Sequence, residues 1–219
     1  MTDFAQSRRK MVDNQLRTND VTDHRILDAM EWVPREKFVP ASKQAVAYID
    51  EELPLNTEGT RFLMKPHVFG KLVQLAAVRP DDVVLVVGTG SGYSAAVLSR
   101  LAASVVAVEE DAGLAAAAGD RLVDLGIENA AVIEGKLTDG CASEGPYDAV
   151  IIDGAVDVTP QSLLKQLKDG GRLVVIEGRG GAGAARLYQA SGDASASRFG
   201  FNASVAVLPG FEKKAEFVF

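Results

Sequence analysis

Along the first eighty residues, apolar positions recur with a helical period. Between Val21 and Val33, Ile26, Met30 and Val33 fall at i, i+4 and i+7, one stripe of an amphipathic helix that Pro34 stops. A second helix is expected from Pro66 to Ala77, with proline in its first turn and Phe69, Leu72, Val73 and Ala76 facing inward. Residues 9–80 therefore read as helical and irregular.

After Pro80 the pattern changes. Val83–Val87 is a continuous apolar run before glycines, the mark of a strand covered on both faces. A helix at 91–102, a strand Ser104–Glu109, an alanine-rich helix at 111–125 closed by Gly126, and strands Ala130–Ile133 and Tyr147–Asp153 are expected next. Thr159 and Pro160 cap and begin a helix to Lys168, Gly170 and Gly171 turn the chain, and Arg172–Ile176 is a further strand. Strands and helices alternating in this way require right-handed crossovers, hence an α/β fold with a doubly wound, mostly parallel sheet. The ending differs: Phe199–Leu208, a turn at Pro209-Gly210 and Lys214–Phe219 read as an antiparallel hairpin. Gly178–Gly183 reads as a flexible loop, because it does not lead from a strand into a strong helix. The expectation is one domain over 1–219, a helical N-terminal cap (1–80) on a sheet core (81–219).

Composition supports this and removes several functions. A chain of 219 residues, 47% hydrophobic and 24% charged, can bury one domain-sized core. Its net charge of −7 repels phosphate backbones and anionic lipid, so neither nucleic acid nor a membrane is expected as a partner. A lone cysteine, Cys141, excludes an intrachain disulfide and a multi-cysteine zinc site, and two histidines, His24 and His67, exclude a histidine-rich metal site. The N-terminus stays polar to Arg17 and nowhere do 18 apolar residues run together, so a cytoplasmic protein, monomer or homodimer, is expected. His24 reads as a surface or packing residue, His67 as a structural one without an evident partner, Cys141 as a small loop residue, and Trp32 as packing in the cap.

The chemistry centres on the end of the first core strand. Gly88-Thr89-Gly90-Ser91-Gly92-Tyr93 has the spacing G-x-G-x-G, distinct from the dinucleotide fingerprint, and glycines there let backbone approach a ligand at the carboxyl ends of the strands. Glu109 closes the next strand about 20 residues on, where a carboxylate can accept both hydrogen bonds of a ribose diol. Glu110 and Asp111 suit the start of the following helix.

These features, with Met11–Leu16, Asp23–Met30, Ala47-Tyr48, Leu53–Leu55, Gln166–Val174 and above all the string Val33-Pro34-Arg35-Glu36-Lys37-Phe38-Val39-Pro40, resemble the protein-L-isoaspartate O-methyltransferase family over most of the chain. The resemblance implies a class I, Rossmann-like methyltransferase fold with a seven-stranded sheet, S-adenosylmethionine as cofactor, and an isoaspartyl-containing peptide or protein as the substrate to be repaired. Gly88, Thr89, Gly90, Gly92, Glu109, Gly135 and Lys136 would then lie on the cofactor side.

The chain departs from the family at both pockets. The family's Gln-Thr-Ile-Ser-Gln-Pro segment, whose hydroxyls lie beside the methyl acceptor, is here Arg61-Phe62-Leu63-Met64-Lys65-Pro66. Either Thr60 is displaced into the hydroxyl's role or the segment packs apolar side chains into the old pocket. The acid that usually stands two residues before the first motif glycine is Val86, and Gly-Asp-Gly after the third strand is Gly135-Lys136-Leu137. Lysine in place of an adenine-facing acceptor costs on the order of 1–3 kcal/mol if uncompensated. In place of Val-Thr-Ala-Ala stands Ile152-Asp153-Gly154-Ala155, with Asp157 beyond. Asp153 could act as a general base for a hydroxyl acceptor, hold a divalent metal, or be a solvated loop acid. The alternatives to isoaspartyl methylation are thus transfer to a different small acceptor and a degenerate, purely binding descendant of the fold.

Overall fold

The computed structural model describes residues 3–192 and 194–213. The cap begins with α1 (Phe4–Met11), whose N-cap Asp3 accepts from Gln6 N at 3.0 Å, and α2 (His24–Trp32), capped by Asp23 accepting from Arg25 N at 2.9 Å. The stripe Ile26, Met30 and Val33 is fully buried, and Val33 leaves the helix in extended backbone, as a residue before proline must. Two short antiparallel strands, β1 (Leu53–Pro54) and β2 (Phe62–Leu63), then bring the ends of the 55–61 segment together, and α3 (Pro66–Ala76) follows with proline in its first turn.

The core alternates β3 (Val83–Val87), α4 (Tyr93–Leu98), β4 (Ser104–Glu109), α5 (Ala112–Asp124), β5 (Ala130–Glu134), β6 (Tyr147–Val156), α6 (Gln161–Leu164), β7 (Leu167–Glu177), β8 (Ala184–Ser191) and β9 (Ala194–Asn202). One seven-stranded sheet has the order β5-β4-β3-β6-β7-β8-β9, parallel from β5 to β7 and antiparallel at β8 and β9. β3 shows why the run Val83–Val87 is continuous. Val84 and Val86 pack with the cap and α3 on one face, while Leu85 and Val87 join Tyr147, Leu163 and Phe211 on the other. The chain steps from β3 outward to β5, then returns to β6 on the other side of β3, so the switch point lies over the carboxyl ends of β3, β4 and β6.

The sheet ends in antiparallel strands as expected, but they lie earlier in the chain than the expected arms. The antiparallel pair is β8 with β9, and the Gly178–Gly183 stretch is a tight connection from β7 to β8, with Gly178 at φ +97° and Gly180 at +56°. β8 buries Ala185 and Leu187 on one face and Ala190 on the other, two of the three small, which leaves a faint periodic signal. The expected helix to Lys168 is a single turn, because β7 already starts at Leu167. Residues 203–213 run back over the strand ends, where Ala155 N donates to Ala206 O and Leu208 N to Ala155 O, both at 2.9 Å. Lys214–Phe219, the expected second arm of the hairpin, lie outside the described residues.

Candidate functional site

The turn after β3 and the end of β4 converge on one carboxylate. Gly88, Gly90 and Gly92 have φ of +81°, +57° and +93°, a backbone path that L side chains rarely adopt. This path turns Gly90 N–H onto Glu109 Oε2 at 2.6 Å. Glu109 is fully buried and its Oε1 also accepts from the backbone N–H groups of Glu110 and Asp111, at 3.0 and 3.1 Å. Thr89 is buried beside it, its hydroxyl 3.0 Å from that of Ser94.

The remaining capacity of Glu109 is taken by an arginine. Arg61 Nε donates to Oε1 at 3.0 Å and Nη2 to Oε2 at 2.6 Å, while Nη2 also reaches Gly88 O at 2.8 Å. A carboxylate offers about four lone-pair directions, and here two arginine donors and three backbone donors fill them. Two leucines close the space above the glycines. A Cβ on Gly90 would meet Leu55 Cδ1 at 2.6 Å, and one on Gly88 would meet Leu208 Cδ1 at 3.0 Å. Leu208 also sits over Gly154, where a Cβ would meet its Cγ at 2.5 Å. The cavity left between Arg61, Met64, Asp153, Gly154 and Leu208 is about 10 Å³, the room of a single water.

The segment that delivers Arg61 is fastened at both ends. Leu55 N donates to Arg61 O at 2.9 Å, and Asn56 Oδ1 accepts from the N–H groups of Thr60 and Arg61 at 3.1 and 3.2 Å. Below it, the buried Arg35 donates to Ala47 O at 2.8 Å and to Met64 O at 2.7 Å and lies over the Tyr93 ring at 4.9 Å, so the Val33–Pro40 string braces the floor of the site.

The expected site residues divide into three groups. Gly88, Thr89, Gly90 and Glu109 are brought together at the switch point, whereas Gly92 packs on Ala118 of α5. Asp153 and Thr60 both line the small cavity. Asp153 is buried near Ser94, and burial lifts its carboxyl to about 6 against the pull of Ser94, Arg61 and Arg35. Thr60 is exposed, with its hydroxyl accepting from Asn56 Nδ2 at 2.8 Å. Gly135 follows β5, its N–H on Glu109 O at 3.0 Å, and Lys136 is exposed, outside both the cavity and the depression beside Glu110. That depression, about 300 Å³ and open, is lined by Thr60, Arg61, Glu109, Asp111, Gly113 and Pro209. Sequence reading missed Arg61 as a site residue, and its one signal was the cation standing in the altered segment. It also left His67 without a partner, but Asp50 Oδ1 lies 2.7 Å from its Nδ1. Asp157 pairs with Arg179, which holds its carboxyl down at about 2, instead of facing the cavity. Among the described residues no cluster of His, Cys, Asp and Glu is arranged to hold a metal.

An adenosyl donor whose ribose bonds Glu109 needs acceptors free on that carboxylate and open space over Gly88 and Gly90. The residue types suit such a group, but the arrangement does not fit it. Glu109 is saturated, Leu55 and Leu208 cover the glycines, and a guanidinium lies where the diol would.

Comparison with known proteins gives one answer. The family model described as protein-L-isoaspartate(D-aspartate) O-methyltransferase matches residues 6–205. A protein-L-isoaspartate O-methyltransferase of Koribacter versatilis is 41% identical over 175 residues, 80% of this chain and 78% of its own. One of Methylorubrum extorquens is 38% identical over 213 residues, 95% and 91% of the two chains. A solved structure named protein-L-isoaspartate O-methyltransferase superposes with a TM-score of 0.80 at 27% identity, over 93% of this chain and 66% of the other.

Proposed function

Since the chain belongs to the protein-L-isoaspartate(D-aspartate) O-methyltransferase family, we propose that it is a methyltransferase of that type, moving a methyl group from S-adenosylmethionine to the carboxylate of an L-isoaspartyl residue in a peptide or protein. The observation that carries this reading is Glu109 closing β4 against Gly90 N–H of the G-x-G-x-G turn, at the switch point of a parallel sheet. The acceptor carboxylate is already ionised at neutral pH, so the protein's task is to position it in a dry pocket. Asp153 and Thr60, which line the cavity at this end of the sheet, are assigned to the acceptor side, and Gly88, Thr89, Gly90, Gly92, Glu109, Gly135 and Lys136 to the donor side.

The net charge of −7 favours a partner other than nucleic acid. Among the described residues no helix is long and apolar enough to cross a membrane. The unpaired Cys141 suits a reducing compartment, and with it the cytoplasm, as monomer or homodimer.

The test is methyl ester formation on an isoaspartyl peptide, with the matching aspartyl peptide as control. Turnover confined to the isoaspartyl peptide is expected, and none above a heat-killed control with excess enzyme sinks the reading. A second reading, a binding protein that has kept the fold, draws on the arginine that saturates Glu109. It requires that no rearrangement of that arginine restores donor binding.

A further inference from the structure

We propose that Arg61 is a built-in occupant of the donor's ribose site, so that the chain holds this site shut and admits an adenosyl ligand only when the 56–61 segment draws Arg61 off Glu109. The proposal rests on the donor assignment made above and adds to it a closed state and the element that opens it.

Three observations carry it. The first is the bonding pattern. Arg61 presents two parallel N–H donors to the two oxygens of Glu109, at 3.0 and 2.6 Å, the same pair of contacts that two adjacent ribose hydroxyls would make. The guanidinium therefore competes atom for atom with a diol and cannot share the carboxylate with one. The second is the fill. Leu55 covers Gly90 while Leu208 covers Gly88 and Gly154, with Arg61 between them, so the space over the glycine turn is filled and the room left at Glu109 is the open depression outside it. The third is the way the occupant is mounted. Arg61 stands at the end of a segment whose residues 57–60 are exposed and which, between the β1–β2 pair and the bond from Leu55 N to Arg61 O, is held by one half-buried side chain, Asn56. Withdrawing it breaks the two bonds to Glu109, the one to Gly88 O and those of Asn56, and leaves Glu109 with three backbone donors, so the carboxylate is never stranded. Charge points the same way. A guanidinium in this place also repels the sulfonium of S-adenosylmethionine, and its departure removes a cation from the pocket.

The experiment is calorimetric titration of the purified full chain with S-adenosylhomocysteine, comparing the wild type with Arg61→Gln and Asn56→Ala. The first variant removes the occupant; the second loosens its mounting at a partly exposed position and keeps the buried pair intact. Both are expected to bind at least about tenfold more tightly than the wild type, which corresponds to a wild-type open population of about one tenth or less. If Arg61→Gln does not fold, Asn56→Ala decides alone. Equal affinity in the wild type and the folded variants overturns the proposal and leaves the methyltransferase reading intact. No binding by any of them at millimolar ligand overturns both. Tight binding by the variants without methylation of an isoaspartyl peptide upholds the closed state and rejects the activity.

Discussion

Arg61 and Glu109, 48 residues apart in the chain, meet in a buried two-bond ion pair at the carboxyl end of β4. The pair joins the 55–61 segment to the switch point of the sheet, the place where an open α/β fold presents its ligand. Its two members are unequally supported. Glu109 keeps three backbone N–H donors without Arg61, whereas Arg61 without Glu109 keeps only Gly88 O.

This asymmetry predicts unequal costs of removal. Stranding a buried charge costs about 3–5 kcal/mol, so Glu109→Gln should lose stability in that range. Arg61→Gln should lose clearly less, because the remaining carboxylate is still bonded. Urea denaturation of the two variants checks this, and equal losses would contradict the account of how Glu109 is held.

Arg35 should prove structural and irreplaceable by lysine. It is fully buried and its fork reaches two carbonyls, Ala47 O and Met64 O, in different segments. A lysine offers a point charge without that fork, and each stranded carbonyl costs about 1–3 kcal/mol. Arg35→Lys and Arg35→Met should both lower the denaturation midpoint. A midpoint equal to wild type for Arg35→Lys would show that the fork is dispensable.

The sheet was legible because its strands are buried on both faces: Val83–Val87 and Tyr147–Asp153 announce themselves as apolar runs, and the glycines after Val87 mark the turn that the sheet order places at the switch point. Glu109 was legible for the same reason, as the first of three acids after such a run, the one that closes the strand. β8 and β9 were not, since β8 turns alanines inward and β9 is an open edge strand with little to bury. Arg61 had only one signal, its place in the altered segment, and hydrophobic periodicity could not point it at Glu109. Nothing local distinguishes an arginine that folds back under a loop from one that faces water, and its partner stands in a different element.

Gly90 should tolerate no side chain. An alanine there must adopt φ near +57°, at a cost of about 1–2 kcal/mol, and its Cβ meets Leu55 Cδ1 at 2.6 Å. Leu55→Ala removes the second penalty and leaves the first. The double variant Gly90→Ala/Leu55→Ala should therefore be more stable than the sum of the single losses by at least about 0.5 kcal/mol. Simple additivity in thermal or urea unfolding would mean that Leu55 does not press on the glycine turn.

Asp153 gives the chain a pH dependence of definite sign. Burial raises its carboxyl from 3.8 to about 6 in the folded protein, so between these values the folded state holds a proton that the unfolded chain has released. Stability falls with pH wherever the folded state binds more protons. The contribution of Asp153 is therefore most favourable below about pH 4, declines as pH rises through 6, and is flat beyond. The full change is about 3 kcal/mol, taking the interval at 1.36 kcal/mol per pH unit. Asp153→Asn cannot ionise and should gain up to that amount over wild type at neutral pH, with little gain at pH 4. The difference between the two unfolding free energies, measured from pH 4 to 8, isolates this residue from every other titrating group. A difference that stays constant over the range would mean that Asp153 ionises as freely in the folded protein as in the unfolded chain.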